Sequence, residues 1–353
     1  MSVGNELEQL AAARYARLQA TMVRHRVGCV LLATPHLATA ASGARRVQVG
    51  GSGGTMPWVV VARGAPAATV FTTDPDGVPA WMPRTHVRPL CWDRARQMEE
   101  IAALVGETRG AIACDVSSPT IAPLLAGRPV VDAVPLLAEA FANRSPSEVS
   151  ATMRALTAAR HAVRAAREVA RGAARPLDLL VACVRTMSAR RAGFPVGEML
   201  CWRAVAGLAR LAPDAALVAD DVLALEWGAY VAGYAGVAGD TFAVDGAPLT
   251  ELRRRWDLAL GLVAKQCRAG SSAAALCAAA HDAGATQAGF LASGLGIGLE
   301  PPYVDLEVTA AEPIRAGSVL VLAPVVTLDG KSFRATRALL VTDDAHRWLE
   351  EAP

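Results

Sequence analysis

The chain has 353 residues, 53% apolar and 19% charged, so it can build two domains with proper cores and is not a disordered chain. Thirty-five basic residues against thirty-three acidic ones leave a net charge of +2, which disfavours nucleic acid as a partner. The seven cysteines include no Cys-x-x-Cys pair, which argues against a disulfide framework and a thiolate zinc site.

The start of the chain carries both acidic and basic side chains and lacks the basic-then-apolar order of a secretory signal. The long charge-free stretches are interrupted by Gly or Pro and stay below the roughly 18 apolar residues that a membrane span needs. We therefore expect a cytoplasmic protein with no membrane partner.

Helix and strand patterns alternate over the first part of the chain. Apolar residues recur at helical spacing over 5–26 and 94–105, and a short helix is predicted over 119–125. Short apolar runs bounded by Gly and Pro predict strands at 29–33, 57–62, 69–72, 111–115 and 130–133. This alternation predicts an α/β domain over residues 1–142.

A helix-start signature opens the second part. In Arg144-Ser-Pro-Ser-Glu148, Ser145 can cap the helix, Pro146 stands in the first turn, and Glu148 lies three residues after the cap. A long helix follows to about residue 172, and further helices are predicted over 177–191, 249–267 and 272–281. Strands are predicted at 222–226, 230–234, 241–244, 319–322 and 338–342, which makes residues 143–353 a second domain.

This order of elements resembles the creatinase, prolidase and aminopeptidase P family. Arg144-Ser-Pro-Ser-Glu148 is similar to its Lys-Ser-Pro-x-Glu phrase, and 219–228 with Tyr234 to its Gly-Asp-x-Val-x-x-Asp-x-Gly strand and the Tyr that follows. Residues 269–272, 294–299 and 314–324 are similar to its Pro-Gly turn, Gly-His-Gly-Ile-Gly-Leu loop and Leu-x-x-Gly-Met-Val-Leu-x-x-Glu-Pro strand. The resemblance implies a creatinase-type α/β domain followed by a pita-bread domain of the α+β type.

The family's enzymes mostly hold two divalent metals with two Asp, one His and two Glu. On the resemblance, these positions are Glu226, Gly236, Leu295, Ala323 and Thr336 in this chain. Four of the five carry neither carboxylate nor imidazole, so we expect no catalytic metal and no other cofactor. The His with which creatinase works without metal is also missing, since the nearest charged residue in that region is Arg210.

Four residues near the vacated positions are the candidate catalytic groups. Glu226, on an apolar strand, is either a relic satisfied by a hydrogen bond or a general base and anchor for a substrate cation. Glu300 either lines the pocket from its Gly-rich loop or lies on the surface, and Asp240 is either functional or a turn residue. Tyr234 supplies either a pocket hydroxyl or core packing.

Four other residues are candidates for substrate binding: Arg337, Trp202, Tyr230 and His36. An Arg on an apolar strand needs an acidic partner, so we expect Arg337 to pair with Glu226 or Glu300, or to bind a substrate carboxylate. His36 lies in an N-terminal loop, and in relatives that domain can reach the partner subunit's pocket. The resemblance and the apolar content therefore imply a homodimer.

Two function classes stay open. The first is a metal-independent enzyme that acts on a small amine, amidine or amino-acid-derived substrate by carboxylate and tyrosine acid-base chemistry, as a hydrolase, lyase or cyclase, for example in secondary metabolism. The second is a non-catalytic pita-bread protein that binds a ligand, peptide or protein. Such proteins usually carry long acidic tails, so the sequence favours the small-molecule enzyme, while the missing ligands disfavour an ordinary metallopeptidase.

Overall fold

The computed structural model describes residues 3–44, 58–115, 122–125, 127–190, 192–193, 199–205, 207–286, 290–305 and 313–349. The chain forms two compact units, Met1–Phe141 and Ala142–Pro353. Helices and several sheets confirm the mixed α/β class. Residues 57 and 119–121, where two of the predicted elements begin, lie outside the described residues. None of the described helices is long and apolar enough to cross a membrane.

The first unit is built around a six-stranded sheet in the order β4-β3-β2-β1-β5-β6. Every residue of the central strand β1, Val27–Leu32, is buried, since it pairs antiparallel with β2 and parallel with β5. The other strands are β2 (Trp58–Ala62), β3 (Thr69–Thr72), β4 (Val87–Pro89), β5 (Ala111–Cys114) and β6 (Val130–Asp132). The helices are α1 (Val3–Arg24), α2 (Pro35–Ser42), α3 (Arg94–Gly106), α4 (Ala122–Leu125) and α5 (Ala133–Ala142).

Two pairs of helices belong to the second unit: α6 (Pro146–Val169) with α7 (Pro176–Ala189), and α8 (Thr250–Lys265) with α9 (Ala273–Asp282). The expected start of α6 is confirmed as a reciprocal capping box. The Glu148 N–H donates to Ser145 Oγ at 3.2 Å, and the Ser145 N–H donates to Glu148 Oε2 at 2.8 Å.

The strands of the second unit form three sheets, in the orders β10-β9-β7-β8, β11-β15-β16 and β13-β12-β14-β17-β18. The first comprises β7 (Leu200–Arg203), β8 (Ala209–Arg210), β9 (Val222–Val231) and β10 (Tyr234–Ala243). The second comprises β11 (Ala285–Thr286), β15 (Val325–Leu328) and β16 (Lys331–Arg334). The third comprises β12 (Ala292–Leu295), β13 (Leu299–Val304), β14 (Val319–Leu322), β17 (Arg337–Val341) and β18 (His346–Trp348).

The β9–β10 hairpin corrects one predicted element. A strand over 230–234 is wrong, because Ala232 and Gly233 form a two-residue turn with positive φ angles of 51° and 76°. The strand predicted at 222–226 instead continues to Val231.

The register of this hairpin decides which side chains share a face. Glu226 pairs with Gly239, and Gly228 pairs with Val237. Directly paired residues project from the same face, and side chains alternate along each strand. Glu226 and Val237 therefore lie on one face, which we call the inner face. Tyr234, Gly236 and Asp240 lie on the other, the outer face, against which α6 packs.

Candidate functional site

The inner face carries an ion pair between Glu226 of β9 and Arg334 at the end of β16. Arg334 Nη2 lies 3.1 Å from Glu226 Oε2, and the two side chains are 17% (Glu226) and 10% (Arg334) exposed. A charge that is so largely withdrawn from water is costly unless it has a partner. Each group thus compensates the other, while both retain some access to solvent.

The guanidinium of Arg334 has further neighbours. Its Nη1 donates to the carbonyl oxygen of Ala323 at 3.5 Å, and its Cζ lies 5.5 Å from the centre of the Trp202 ring. Trp202 pairs with Ala224 and so projects from the same face of the sheet as Glu226. The cation is therefore held by a carboxylate, a carbonyl and an aromatic ring.

The donor groups at the implied metal positions do not fit a pair of divalent cations. Glu226 already binds a guanidinium, and Ala323 offers only a carbonyl that accepts from the same guanidinium. The Leu295 side chain is fully buried in an apolar cluster, and Thr336 Oγ1 donates to the Val237 carbonyl oxygen at 3.5 Å. Within the described part of the chain, no group of three or more His, Cys, Asp or Glu could hold a metal ion.

In the structure, the residue that fits the second implied metal-ligand position is Val237 and not Gly236. A Cβ on Gly236 would overlap the backbone of Ala155 and Leu156 in α6, so Gly236 faces the helix and not Glu226. Two ligands of one metal centre must project towards the same point, and Val237 shares the face of Glu226. Val237 also lacks a donor side chain, so this position supplies no metal ligand either.

Tyr234 and Glu300 belong to a different, fully buried network. Tyr234 Oη donates to Glu148 Oε1 at 2.6 Å, and Glu300 accepts a hydrogen bond from Arg144 and another, at 2.8 Å, from the Ile297 N–H. Arg144 Nη1 also lies 4.0 Å from Glu148 Oε1. Burial opposes the charge of Arg144, but Glu300 and Glu148 raise its pKa above the ordinary value. The alternative that Glu300 lies on the loop surface is wrong, because its side chain is only 7% exposed.

Asp240 and Arg337 also lie away from Glu226. Asp240, on the outer face, accepts from Arg167 of α6 and Arg253 of α8, each at 3.3 Å. Arg337 donates to the Thr336 carbonyl oxygen at 3.1 Å and places its Cζ 5.7 Å from the centre of the Trp256 ring. Of the two alternatives for Arg337, the structure does not show the ion pair with Glu226 or Glu300, because Arg334 and Arg144 bind those carboxylates. Binding of a substrate carboxylate by Arg337 stays a prediction.

The remaining candidates divide between the two units. Tyr230 lies on the inner face of β9, four residues and about 13 Å along the strand from Glu226. It packs beside the cluster that contains Leu295. His36 is a half-buried residue of α2 in the first unit.

Arg334 was not among the predicted site residues, and Arg144 had no predicted role in a site. Arg144 opens the phrase Arg144-Ser-Pro-Ser-Glu148, which carries the family resemblance, and Arg334 lies two residues before Thr336, one of the implied metal-ligand positions. The available signal was the need of each apolar-strand carboxylate for a nearby cation.

The backbone resembles solved structures of peptidases over nearly its whole length. The prolidase from Pyrococcus horikoshii OT3 gives a TM-score of 0.71 at 15% identity, with 96% of this chain and 98% of that chain covered. The X-Pro aminopeptidase from Thermotoga maritima MSB8 gives 0.73 at 15% identity with the same coverage. The dipeptidase PepE from Mycobacterium ulcerans gives 0.72 at 18% identity, with 98% and 97% covered. No family model and no curated protein matches the sequence.

Proposed function

We propose that this chain, which has the pita-bread fold of prolidases and X-Pro aminopeptidases, is a metal-independent enzyme and acts on a small amine, amidine or amino-acid-derived substrate. The observation that carries the proposal is the Glu226–Arg334 ion pair on the inner face. The Arg334 guanidinium contacts the Glu226 carboxylate and the Ala323 carbonyl oxygen. The resemblance implies a metal ligand at each of these two positions.

The pair matches the two ends of a zwitterionic substrate. The Glu226 carboxylate suits an ammonium or amidinium group, and the planar fork of Arg334 suits a carboxylate with two parallel hydrogen bonds. Trp202, against which Arg334 stacks, offers an apolar wall to the rest of the molecule. Once a substrate carboxylate occupies Arg334, Glu226 is released to accept a proton as a general base.

One observation favours the alternative, a non-catalytic pita-bread protein that binds a ligand. Tyr234 and Glu300 sit in the buried network, so the acid-base groups proposed for the inner face reduce to Glu226. Single-base chemistry is compatible with a lyase or cyclase step and less so with hydrolysis, which needs both an activated water and a protonated leaving group. Binding of a ligand without turnover would select this alternative.

The experiment is a binding and turnover screen with Xaa-Pro dipeptides, amidino acids and free amino acids, read by calorimetry and mass spectrometry. We expect Glu226→Gln to abolish turnover and Arg334→Lys to weaken binding of carboxylate-bearing ligands by tenfold or more, about 1.4 kcal/mol. Glu168→Gln, an exposed carboxylate on α6, is the matched control and should change neither. Full turnover by Glu226→Gln would contradict the proposal.

A further inference from the structure

A cavity on the outer face of the second unit is lined by five arginines. Its volume is about 400 Å³, and its wall includes Arg160, Arg164 and Arg167 of α6, Arg253 of α8 and Arg337 of β17. Asp240 is its one acidic lining residue, so the wall carries a formal excess of four positive charges. None of these residues belongs to the Glu226 site, which lies on the opposite face of β9 and β10.

The arginines of α6 form a row. Their spacing of four and three residues places them on one side of the helix, along about 10 Å of its axis. Like charges at this spacing destabilise a helix, so the row conflicts with local helix stability. Such local conflicts are expected where a site has a ligand to bind. The same row contributes to the lowered pKa of His161, whose first cause is burial, followed by Arg190, Arg164 and Arg160.

Asp240 fixes part of the wall without neutralising it. It bridges Arg167 and Arg253 at 3.3 Å each and thereby links α6 to α8 across β10. The side chains of Arg253 and Asp240 are only 30% and 22% exposed, so a ligand in contact with them is partly shielded from water. Charge-assisted hydrogen bonds are stronger in such surroundings than in bulk solvent.

A second cavity of about 420 Å³ shares Arg167 and Arg253 with the first. Its lining adds the apolar side chains of Phe242, Pro248, Leu249 and Phe333, together with the oppositely charged Arg254 and Asp257. The two cavities therefore present a strongly basic compartment beside a partly apolar one. This combination suits a ligand with clustered negative charges at one end and an organic group at the other.

We propose that these cavities bind a small organic diphosphate, with the phosphoryl groups against the arginine row and the organic group in the second cavity. The length of the row, about 10 Å, exceeds what a single phosphate spans and suits two adjacent phosphoryl groups. Arginine is the residue best suited to this role because its fork binds phosphate oxygens in pairs.

The test measures the affinity of the 353-residue chain for inorganic pyrophosphate and for ADP by calorimetry. We expect both to bind, ADP more tightly, and both affinities to fall as NaCl rises. Arg164→Gln should weaken pyrophosphate binding about tenfold or more. Arg185→Gln, which replaces another exposed arginine on α7 outside the cavity, is the control and should leave binding intact.

Three results would overturn this inference. The first is dissociation constants weaker than about 1 mM for both probes. The second is an equal loss of affinity in the two variants, which would mean a general charge effect. The third is equal affinity for pyrophosphate and ADP, which would remove the organic group from the second cavity. Arg164 is exposed, so unchanged melting temperatures should show that both variants fold.

Discussion

Replacement of Glu300 by Gln tests whether this carboxylate stabilises the fold or takes part in catalysis. Arg144 and Glu300 are 4% and 7% exposed, so breaking their pair leaves a guanidinium deprived of its main partner in a dry environment. Removing one partner of a buried pair costs about 3–5 kcal/mol. The Ile297 N–H can still donate to the amide oxygen of Gln, and Glu148 remains 4.0 Å from Arg144, so we expect the lower end, about 3 kcal/mol.

Substitutions of Arg144 and Tyr234, in the same buried network, give reference values for the loss of stability expected in Glu300→Gln. Arg144→Met leaves both Glu148 and Glu300 without their cation, and should reach about 5 kcal/mol. Tyr234→Phe removes one hydrogen bond of 2.6 Å to a carboxylate, and should cost about 1.5–3 kcal/mol. The expected order of destabilisation is therefore Arg144→Met, then Glu300→Gln, then Tyr234→Phe.

The assay is urea unfolding of the full chain, followed by tryptophan fluorescence and repeated for each variant. A loss of 3 kcal/mol lowers the urea midpoint by roughly 1–1.5 M for a slope of 2–3 kcal/mol per M. In the absence of urea, where the Glu300→Gln variant remains folded, its ligand binding at the Glu226 site should be unchanged. A native unfolding curve for Glu300→Gln together with lost turnover would refute this reasoning and return Glu300 to the catalytic set.

Three further predictions concern metals, thiols and assembly. Elemental analysis after brief chelation should find no stoichiometric Mn, Co, Zn or Fe, because the donors at the implied positions do not fit; one tightly bound ion per chain would contradict this. Burial raises the pKa of four thiols to about 12, namely those of Cys29, Cys183, Cys201 and Cys267. At pH 8 only about one in 10,000 of each thiol is therefore ionised. A thiol reagent should leave them unmodified until the chain unfolds. Because these raised values keep the protons on the folded chain, their contribution to stability is complete below about pH 9 and is lost as pH rises towards 12. Light scattering at low concentration should give the mass of a homodimer, and a monomer mass would contradict the proposal.

The sequence alone determined the architecture. The capping box at Ser145 and Glu148, the periodicity of the helices and the order of the glycine-containing phrases are local signals, and local signals survive without knowledge of the partner strands. The sequence also shows directly that positions 295 and 323 carry no side-chain metal donor, since neither Leu nor Ala has one.

Only the tertiary structure decided which polar groups meet. Residues 226 and 239 pair across a two-residue turn, so even-numbered residues of β9 and even-numbered residues of β10 project from opposite faces. A single residue more in that turn would reverse the assignment, and no pattern within one strand reveals it. Tyr234 and Asp240 were therefore grouped with Glu226 although they face α6 and its neighbours.

The same dependence on strand register and packing explains why Arg334, and not the predicted Arg337, pairs with Glu226. Both lie within four residues of the chain, but only Arg337 was predicted as a cation for Glu226. Arg334 ends β16 and reaches the inner face, while Arg337 begins β17 and lines the outer cavity. Which of two neighbouring arginines meets a carboxylate is set by the direction in which each strand presents its side chains, and that direction follows from sheet packing and not from the order of residues.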